Sequence, residues 1–272
     1  MGRIYIGTSG FSYDDWIGPF YPPTLSKAHR LEYYAQRFST VEINSTFYQL
    51  PALPSVYGML NKVDTGFTFF VKGHRDLTHV LRNAQETLPR FKVMVEAYQK
   101  VQKLAGVLLQ FPEKFEPTEK NEEYLRRLID SLHGFRPVVE FRHARWLTDQ
   151  TMGLLKELDA GYCIVDMPQV RSLPPSRIET TSDIAYVRFH GQNRAHWEKA
   201  STRNARYDYD YSDEELQGWV PVLIGLSKDV KEVYVYFNNH YRGQAAKNAD
   251  TLRSFLESYV IGSDIPRPSP LS

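Results

Sequence analysis

Short apolar segments rich in β-branched and aromatic residues alternate with longer segments of helical spacing along most of the chain. Composition marks the strand-like segments, and apolar residues three or four positions apart mark the amphipathic helices. The pattern predicts eight strands, at residues 3–7, 40–44, 67–72, 106–110, 137–141, 162–166, 185–190 and 232–237. Such an alternation favours parallel strands that are joined by helical crossovers.

The segments between the predicted strands have the helical pattern, with one exception. Helices are predicted at residues 26–38, 53–63, 88–104, 118–132, 148–159, 212–230 and 243–259. The sequence Ser212-Asp-Glu-Glu215 is a capping box, which marks the start of a helix. After the sixth strand, Pro168, Pro174 and Pro175 favour an irregular crossover instead.

Eight parallel strands with right-handed crossovers close most economically into a single (β/α)8 TIM barrel, an α/β fold. A doubly wound open sheet would show the same alternation and is the alternative. The length of 272 residues suits one barrel, since barrels commonly have about 250 residues. We expect the barrel domain to cover residues 1–262 and the proline-rich residues 263–272 to form a flexible C-terminal tail.

Charge and cysteine content exclude several classes of protein. There are 33 Lys and Arg residues against 32 Asp and Glu, so the net charge of +1 does not steer the chain onto nucleic acid or anionic lipid. The single Cys163 excludes an internal disulfide framework and a cysteine-rich zinc module. The sequence has no signal-peptide pattern and no apolar run of about 18 residues, so we expect a cytoplasmic protein without a membrane partner.

Polar side chains are concentrated at the carboxyl ends of the predicted strands. Residues two apart on a strand share a face, and the carboxyl ends of barrel strands surround one mouth. Such polar residues end all of the predicted strands from the second to the eighth: Glu42, Asn44, Lys72, Gln110, Glu140, Arg142, Asp166, Arg188, His190 and Asn238. Burying so many charges costs several kcal/mol for each. We therefore interpret the mouth as a functional site, the alternative being an ion-pair network that only seals the core.

The residue types at the mouth indicate acid–base chemistry on an anionic substrate. Lys72, Arg142 and Arg188 suit a phosphorylated ligand, because the arginine fork matches phosphate and lysine adds a point charge. These cations would repel a dication, so we predict no cofactor. A divalent metal is the alternative, because the carboxylates and the histidine at the mouth are oxygen and nitrogen donors. Side chains that exchange protons readily are the predicted catalytic residues: Glu42, Glu140, Asp166 and His190.

The loops that follow the strands add further candidates. The Gly7-Thr-Ser-Gly10 turn offers backbone N–H groups for a phosphate or carboxylate. Five of the eight histidines follow predicted strands, which favours acid–base or metal chemistry: His74, His79, His143, His190 and His240. Aromatic residues in these loops suit the stacking of sugars or bases. The predicted substrate-binding residues from the loops are Thr8, Ser9, Tyr13, Trp16, His143, Arg194, Trp197 and Tyr207, and they add to Asn44, Lys72, Gln110, Arg142, Arg188 and Asn238.

The segment 191–211 is a long loop with four cations, Arg194, Lys199, Arg203 and Arg206. Loops longer than about 12 residues without regular structure are usually functional or disordered. We expect this segment to act as a lid, with charge from its arginines and stacking faces from Trp197 and Tyr207. A solvated loop whose cations only maintain solubility is the alternative.

Several short motifs follow one another in order through most of the chain. They include Gly7-Thr-Ser-Gly-Phe-Ser-Tyr13, Val41-Glu-Ile-Asn-Ser-Thr-Phe-Tyr48, Leu108-Leu-Gln-Phe-Pro112, Val139-Glu-Phe-Arg-His143, Val187-Arg-Phe-His-Gly191 and Tyr236-Phe-Asn-Asn-His240. From residue 5 to about residue 255 the chain resembles the domain of unknown function 72 family, also called YecE-like proteins. The resemblance implies a TIM-like barrel and brings no established reaction. Phe11 stands where the family has a tryptophan, which keeps an aromatic wall and removes an N–H donor.

Three classes of function are compatible with these residues. The first is an enzyme that acts on a phosphorylated, sugar-containing or nucleotide-like small molecule as a hydrolase, lyase or isomerase. The second is a nucleic-acid-binding or endonuclease-like protein that processes lesions, with the cations of residues 191–207 as its electrostatic footprint. The third is a non-catalytic scaffold that binds a ligand. We prefer the first, with a small anionic or phosphorylated ligand as the partner.

Overall fold

The eight strands are parallel and form one sheet, in which the first strand pairs with the eighth and the others follow in descending order to the second. The computed structural model describes residues 1–170, 173–198, 203–259 and 265–266. The two ends of the sheet meet where Ser9 forms a bridge with Glu42 and the Gly10 N–H donates to the Glu42 carbonyl at 2.8 Å. This near closure confirms the (β/α)8 TIM barrel and excludes the open sheet. The strands are β1 (Arg3–Thr8), β2 (Thr40–Ile43), β3 (Thr68–Lys72), β4 (Leu104–Phe111), β5 (Pro137–Phe141), β6 (Gly161–Asp166), β7 (Ile184–Phe189) and β8 (Glu232–Phe237).

Seven of the described helices lie around the barrel in the positions that the alternation predicts, and two short ones in the segment 191–211 were not predicted. The third helix begins at Ala84 rather than at residue 88, and the chain leaves it through Gln102, whose φ is 57°, before β4 begins. The capping box at Ser212 is present, since its hydroxyl accepts from the Glu215 N–H and the Glu215 carboxylate accepts in return. The helices are α1 (Arg30–Ala35), α2 (Leu53–Leu60), α3 (Ala84–Lys100), α4 (Glu119–Leu132), α5 (Asp149–Glu157), α6 (Arg194–Glu198), α7 (Arg203–Arg206), α8 (Asp213–Asp229) and α9 (Gln244–Glu257).

Alternation along the strands separates the buried side chains into two layers. The larger layer lies between the sheet and the helices, and the smaller one fills the barrel interior. Aromatic rings dominate the interior, where Tyr5 stacks on Tyr234 at 4.7 Å between centroids and Phe70 contacts Tyr186 at 4.4 Å. Because these rings fill the barrel, the polar residues at the carboxyl ends of the strands lie directly above a closely packed aromatic layer.

Two connections decide how the mouth is covered. Between β6 and β7, the described residues contain no helix, as the prolines predict. In the segment 191–211 the expectation of a loop without regular structure is wrong, because α6 and α7 form there. Lys199, the side chain of Arg203 and most of the predicted tail at 263–272 lie outside the described residues.

Among the described helices, none is both long and apolar enough to span a membrane.

Candidate functional site

A cavity of about 950 Å³ opens at the carboxyl ends of the strands. Amide side chains from β2, β4 and β8 reach it, namely those of Asn44, Gln110 and Asn238. Its walls carry more cations than carboxylates. The cations are Lys72, Arg75, Arg142, Arg188 and Arg206, and the carboxylates are those of Asp14 and Asp15.

Arg188 is the centre of the cavity floor. Its side chain is 1% exposed and bridges two buried glutamates, with 2.7 Å to Glu42 Oε1 and 2.6 Å to Glu140 Oε2. It also donates to Ser9 Oγ at 3.3 Å, while the Tyr186 hydroxyl donates to Glu42 Oε2 at 2.5 Å. Burial alone would lower the pKa of this guanidinium, but the two glutamates hold it well above its ordinary value. The guanidinium therefore stays charged and fixes both carboxylates in place.

Glu140 is held by two arginines. Its Oε1 accepts from Arg142 Nε at 2.5 Å, and its other oxygen accepts from Arg188. Burial tends to raise the pKa of this carboxyl group, but Arg142 and Arg188 outweigh it and hold the pKa well below the ordinary range. Glu140 is therefore a permanent carboxylate, and both of its oxygens are engaged.

His190 is fully buried beside this network. Its Nε2 lies 3.0 Å from Arg142, and its Nδ1 lies 3.0 Å from the Asn238 amide. The same Nε2 lies 3.3 Å from Glu140 Oε1. Burial, then Arg142, lowers the pKa of His190 to about 3. The imidazole is therefore uncharged at neutral pH and orients Arg142 and Asn238.

Lys72 ends β3 on the wall of the cavity. Its Nζ lies 4.8 Å from the centroid of the Phe47 ring, and within the described residues no carboxylate pairs with it. Burial and the nearby Arg188 lower the pKa of Lys72 to about 8, against the opposing effect of Glu42 and Glu140. Lys72 therefore has a substantial neutral fraction near physiological pH.

Aromatic rings form the outer wall of the site. Tyr13 stacks on His240 at 4.6 Å, and Tyr207 lies 5.5 Å from His240. Trp197 packs against the guanidinium groups of both Arg142 and Arg206, each at 5.6 Å from the ring centroid. The segment 191–211 thus contacts the mouth through Trp197, Arg206 and Tyr207, which is the position that a lid would occupy.

Asp166 does not belong to the mouth, and its predicted placement is wrong. It shares the outer face of β6 with Tyr162 and Ile164, and it accepts hydrogen bonds from Gln192, Tyr211 and Trp219 there. Burial raises the pKa of this carboxyl group, while the hydrogen bonds oppose the rise. Asp166 links β6 to α8 and to the segment after β7.

The first loop does not form the predicted anion cradle. The Thr8 N–H donates to the Tyr34 hydroxyl, and the Ser9 N–H donates to the Phe237 carbonyl. The Gly10 N–H is used in closing the barrel, so none of the three is available to a ligand. The Thr8 hydroxyl donates to the Gly10 carbonyl at 2.7 Å. Trp16 is fully buried and donates its indole N–H to the His240 carbonyl, so its predicted contact with substrate is also wrong.

Two other predicted substrate-binding residues lie away from the cavity. His143 caps the short 3-10 turn Ala144–Trp146, where its Nδ1 accepts from the Arg145 N–H. Arg194 is exposed on α6 and does not line the cavity. The remaining predicted residues surround the mouth or its floor: Ser9, Tyr13, Glu42, Asn44, Lys72, Gln110, Glu140, Arg142, Arg188, His190, Trp197, Tyr207 and Asn238.

Two residues of the site, Arg75 and Tyr186, were not predicted. Arg75 lines the cavity from the loop after β3. His79, one of the histidines noted after the strands, lines it from the same loop, and burial followed by Lys72 lowers its pKa to about 4. Tyr186 supports Glu42 from below. The period of two along β7 places Tyr186 on the same face as Arg188, and that pattern was the signal that could have identified it.

The buried carboxylates are saturated by the protein itself. Each of the four oxygens of Glu42 and Glu140 accepts a hydrogen bond from Arg188, Arg142 or Tyr186. In the described part of the chain, no group of three or more His, Cys, Asp or Glu residues is arranged to hold a metal ion. The donors present are arranged as an ion-pair network.

Comparisons with known proteins agree with this architecture. The chain is 31% identical to the UPF0759 protein YunF of Bacillus subtilis (strain 168) over 275 residues, covering 95% of this chain and 96% of that one. The crystal structure of a DUF72 family protein from Thermotoga maritima superposes with a TM-score of 0.88 at 40% identity, covering 94% of this chain and 99% of that chain.

A second crystal structure, of a DUF72 family protein from Enterococcus faecalis, gives a TM-score of 0.84 at 26% identity and covers both chains completely. Residues 5–270 match the family described as "Protein of unknown function DUF72". The match covers nearly the whole barrel, and the chain therefore belongs to the DUF72 family.

Proposed function

We propose that this barrel is an enzyme that binds a small phosphorylated ligand at its mouth. The observation that carries the proposal is the excess of cations around the cavity. Lys72, Arg75 and Arg206 all line the cavity, and within the described residues no carboxylate pairs with any of them. Arg188 and Arg142 already occupy the buried glutamates below. Three cations in one concave site that pair with no carboxylate in the described part of the chain favour an anion.

The two aspartates at the rim do not neutralise these cations. Asp14 pairs with Arg30 at 2.8 Å, and Asp15 accepts from the Arg242 N–H at 2.7 Å. Both therefore have partners outside the group formed by Lys72, Arg75 and Arg206.

The cavity also has groups for the uncharged part of a ligand. A volume of about 950 Å³ is at the large end for small-molecule sites, and it accommodates a sugar phosphate or a nucleotide. Asn44 has a buried side-chain oxygen without a hydrogen-bond partner among the described residues, and such an acceptor suits a ligand hydroxyl. Tyr207 and Phe47 offer ring faces on opposite sides of the mouth.

Within this proposal, the roles of the polar residues differ from the sequence-based assignment. Glu140 stays ionised with both oxygens engaged, and His190 stays neutral with both nitrogens engaged. We assign both to the positioning of Arg142 and Arg188. Lys72 is the group whose pKa, at about 8, suits proton transfer near neutral pH.

Titration calorimetry with ribose 5-phosphate and with ribose tests the proposal. We expect only the phosphorylated sugar to bind measurably. The double variant Arg75→Gln/Arg206→Gln should weaken binding by a factor of about 10 or more, since a hydrogen bond to a charged group contributes about 1.5–3 kcal/mol. Arg145→Gln is the matched control, because this exposed arginine pairs with Glu116 away from the cavity. Equal binding of both sugars, or an unaffected double variant, would contradict the proposal.

Nucleic-acid binding is the less supported alternative, since the rim of the cavity carries Asp14 and Asp15 among its cations. A single-stranded oligonucleotide that binds with an affinity falling steeply with salt, and that phosphate displaces, would favour it. Oligonucleotide binding that the double variant Arg75→Gln/Arg206→Gln leaves intact would place that activity elsewhere on the molecule.

A further inference from the structure

The surroundings of Lys72 have features that anion binding does not require. Its backbone is fixed, because Thr46 Oγ1 donates to the Lys72 carbonyl at 2.6 Å. Its Nζ is on the cavity wall above the Phe47 ring, without an ion pair to any described residue. An amine that is partly removed from water and not engaged by a carboxylate is available as a nucleophile.

The charged groups that face Lys72 act in opposite directions. Arg188 and Arg142 repel its ammonium form, while Glu42 and Glu140 favour it. The glutamates are already bound by the two arginines, so burial and cation repulsion prevail. The result is a pKa of about 8, at which a neutral amine with a free electron pair coexists with the ammonium form.

Lys103 shows what a structural lysine looks like in this molecule. It is buried, and burial lowers its pKa as well. Its Nζ, however, donates to the carbonyls of Leu60 and Val63 at 2.7 and 2.6 Å, and it lies just before β4, at the opposite end of the barrel. Lys72 differs from Lys103 because its amine faces a cavity instead of backbone acceptors.

We propose that Lys72 forms a protonated imine with the carbonyl carbon of an aldehyde or ketone that also carries the anionic group. The inference rests on the proposed function, because Arg75 and Arg206 would hold the anion while the carbonyl carbon reaches Nζ. The neutral amine attacks the carbonyl carbon, and the carbonyl oxygen takes up the proton that nitrogen releases, which gives a carbinolamine. One proton from solvent then allows the hydroxyl group to leave as water, and the C=N bond forms.

The neighbouring strand supplies a partner for the intermediate. Ile43 pairs with Val71, so Asn44 and Lys72 follow side by side at the ends of β2 and β3. The side-chain oxygen of Asn44, which has no hydrogen-bond partner among the described residues, can accept from the hydroxyl of the carbinolamine. A protonated imine withdraws electrons from the adjacent C–C and C–H bonds, so the site would act as a lyase or isomerase rather than as a hydrolase.

Reductive trapping tests the assignment. The full-length protein is incubated with ribose 5-phosphate and sodium cyanoborohydride, and the products are mapped by peptide mass spectrometry. We expect one adduct, with the mass of the probe less one oxygen atom, at Lys72. Inorganic phosphate should suppress it, and its rate should rise with pH to a plateau with a midpoint near 8. Lys103 serves as the buried control and Lys231, which is 79% exposed, as the surface control.

Variants and parallel calorimetry separate the two proposals. Lys72→Arg keeps the charge without a nucleophilic amine, so it should still bind ribose 5-phosphate and form no adduct. If the native protein binds the probe but Lys72 is labelled no faster than Lys231, the imine is refuted and the proposed function stands. If the probe does not bind, both proposals are overturned.

Discussion

Replacing Arg188 with Met tests how much the buried ion pairs of the cavity floor contribute to the stability of the fold. The substitution removes the cation that bridges Glu42 and Glu140 and leaves two buried carboxylates behind. Glu42 keeps its hydrogen bond from Tyr186, and Glu140 keeps Arg142. Removal of one partner from a buried ion pair costs about 3–5 kcal/mol of the free energy of unfolding. For a chain of this size, we expect the Tm to fall by roughly 10 °C.

The loss of stability in Arg188→Met should depend on pH, and the shifted pKa of Glu140 determines the direction of that dependence. In the native protein this pKa is held well below the ordinary range, so the stabilisation is present above the pKa of an unfolded glutamate and is lost as pH falls through the folded value. Without Arg188 the pKa of Glu140 rises, so the variant takes up a proton at higher pH. The difference in stability between variant and native protein should therefore shrink on acidification from neutral pH.

Urea denaturation followed by circular dichroism measures both effects. Arg136→Met is the matched control, because Arg136 pairs with Glu232 at 2.6 Å at the other end of the barrel and is 36% exposed. A partly exposed pair is worth about 1 kcal/mol or less, so this variant should be nearly as stable as the native protein. Arg188 does not hold the cavity floor together if Arg188→Met lowers the free energy of unfolding no more than Arg136→Met, or if the loss is independent of pH.

Three further predictions separate structural from ligand-binding residues. Asp166→Asn should lower the free energy of unfolding by about 1–3 kcal/mol in urea titrations and leave the calorimetric affinity for ribose 5-phosphate unchanged. A loss of affinity would show that Asp166 contributes to ligand binding. Tyr34→Phe, which removes the acceptor of the Thr8 N–H, should likewise cost about 1–3 kcal/mol without affecting affinity, and weakened binding would show that the first loop holds the ligand. Sulfate keeps a constant charge near neutral pH, so calorimetry should show that it binds more weakly as the pH rises through about 8 and Lys72 loses its proton. If the affinity of Lys72→Met for sulfate depends on pH in the same way, a group other than Lys72 causes the dependence.

The mouth was predictable wherever a polar residue interrupts the alternation of an apolar strand. In β2, Val41 and Ile43 point outwards, so the phase of the alternation places Glu42 inside. The sequence of β6 does not indicate which face points inwards, because its residues before Asp166 are all apolar or small and both of its faces are buried. The inward assignment of Asp166 therefore had no support from periodicity, and the structure reverses it.

The first loop could not be read from the sequence because its hydrogen-bond partners are distant in the chain. The Thr8 amide meets a hydroxyl from α1, and the Ser9 amide meets a carbonyl of β8. A glycine-rich turn looks like an anion cradle only while its N–H groups are free. Lys72 could not be assigned from the sequence for a similar reason. Its pKa is lowered by burial and then by Arg188, which is more than a hundred positions away in the sequence.

The central claim is that the cations of the mouth form an anion-binding site, and a crystal soaked in tungstate tests it most directly. Tungstate is a tetrahedral dianion like sulfate, and its anomalous scattering identifies it without ambiguity. We expect an anomalous peak inside the cavity, within hydrogen-bonding distance of Lys72 and of Arg75 or Arg206. Tungstate bound elsewhere on the protein with the cavity free of any peak would contradict it.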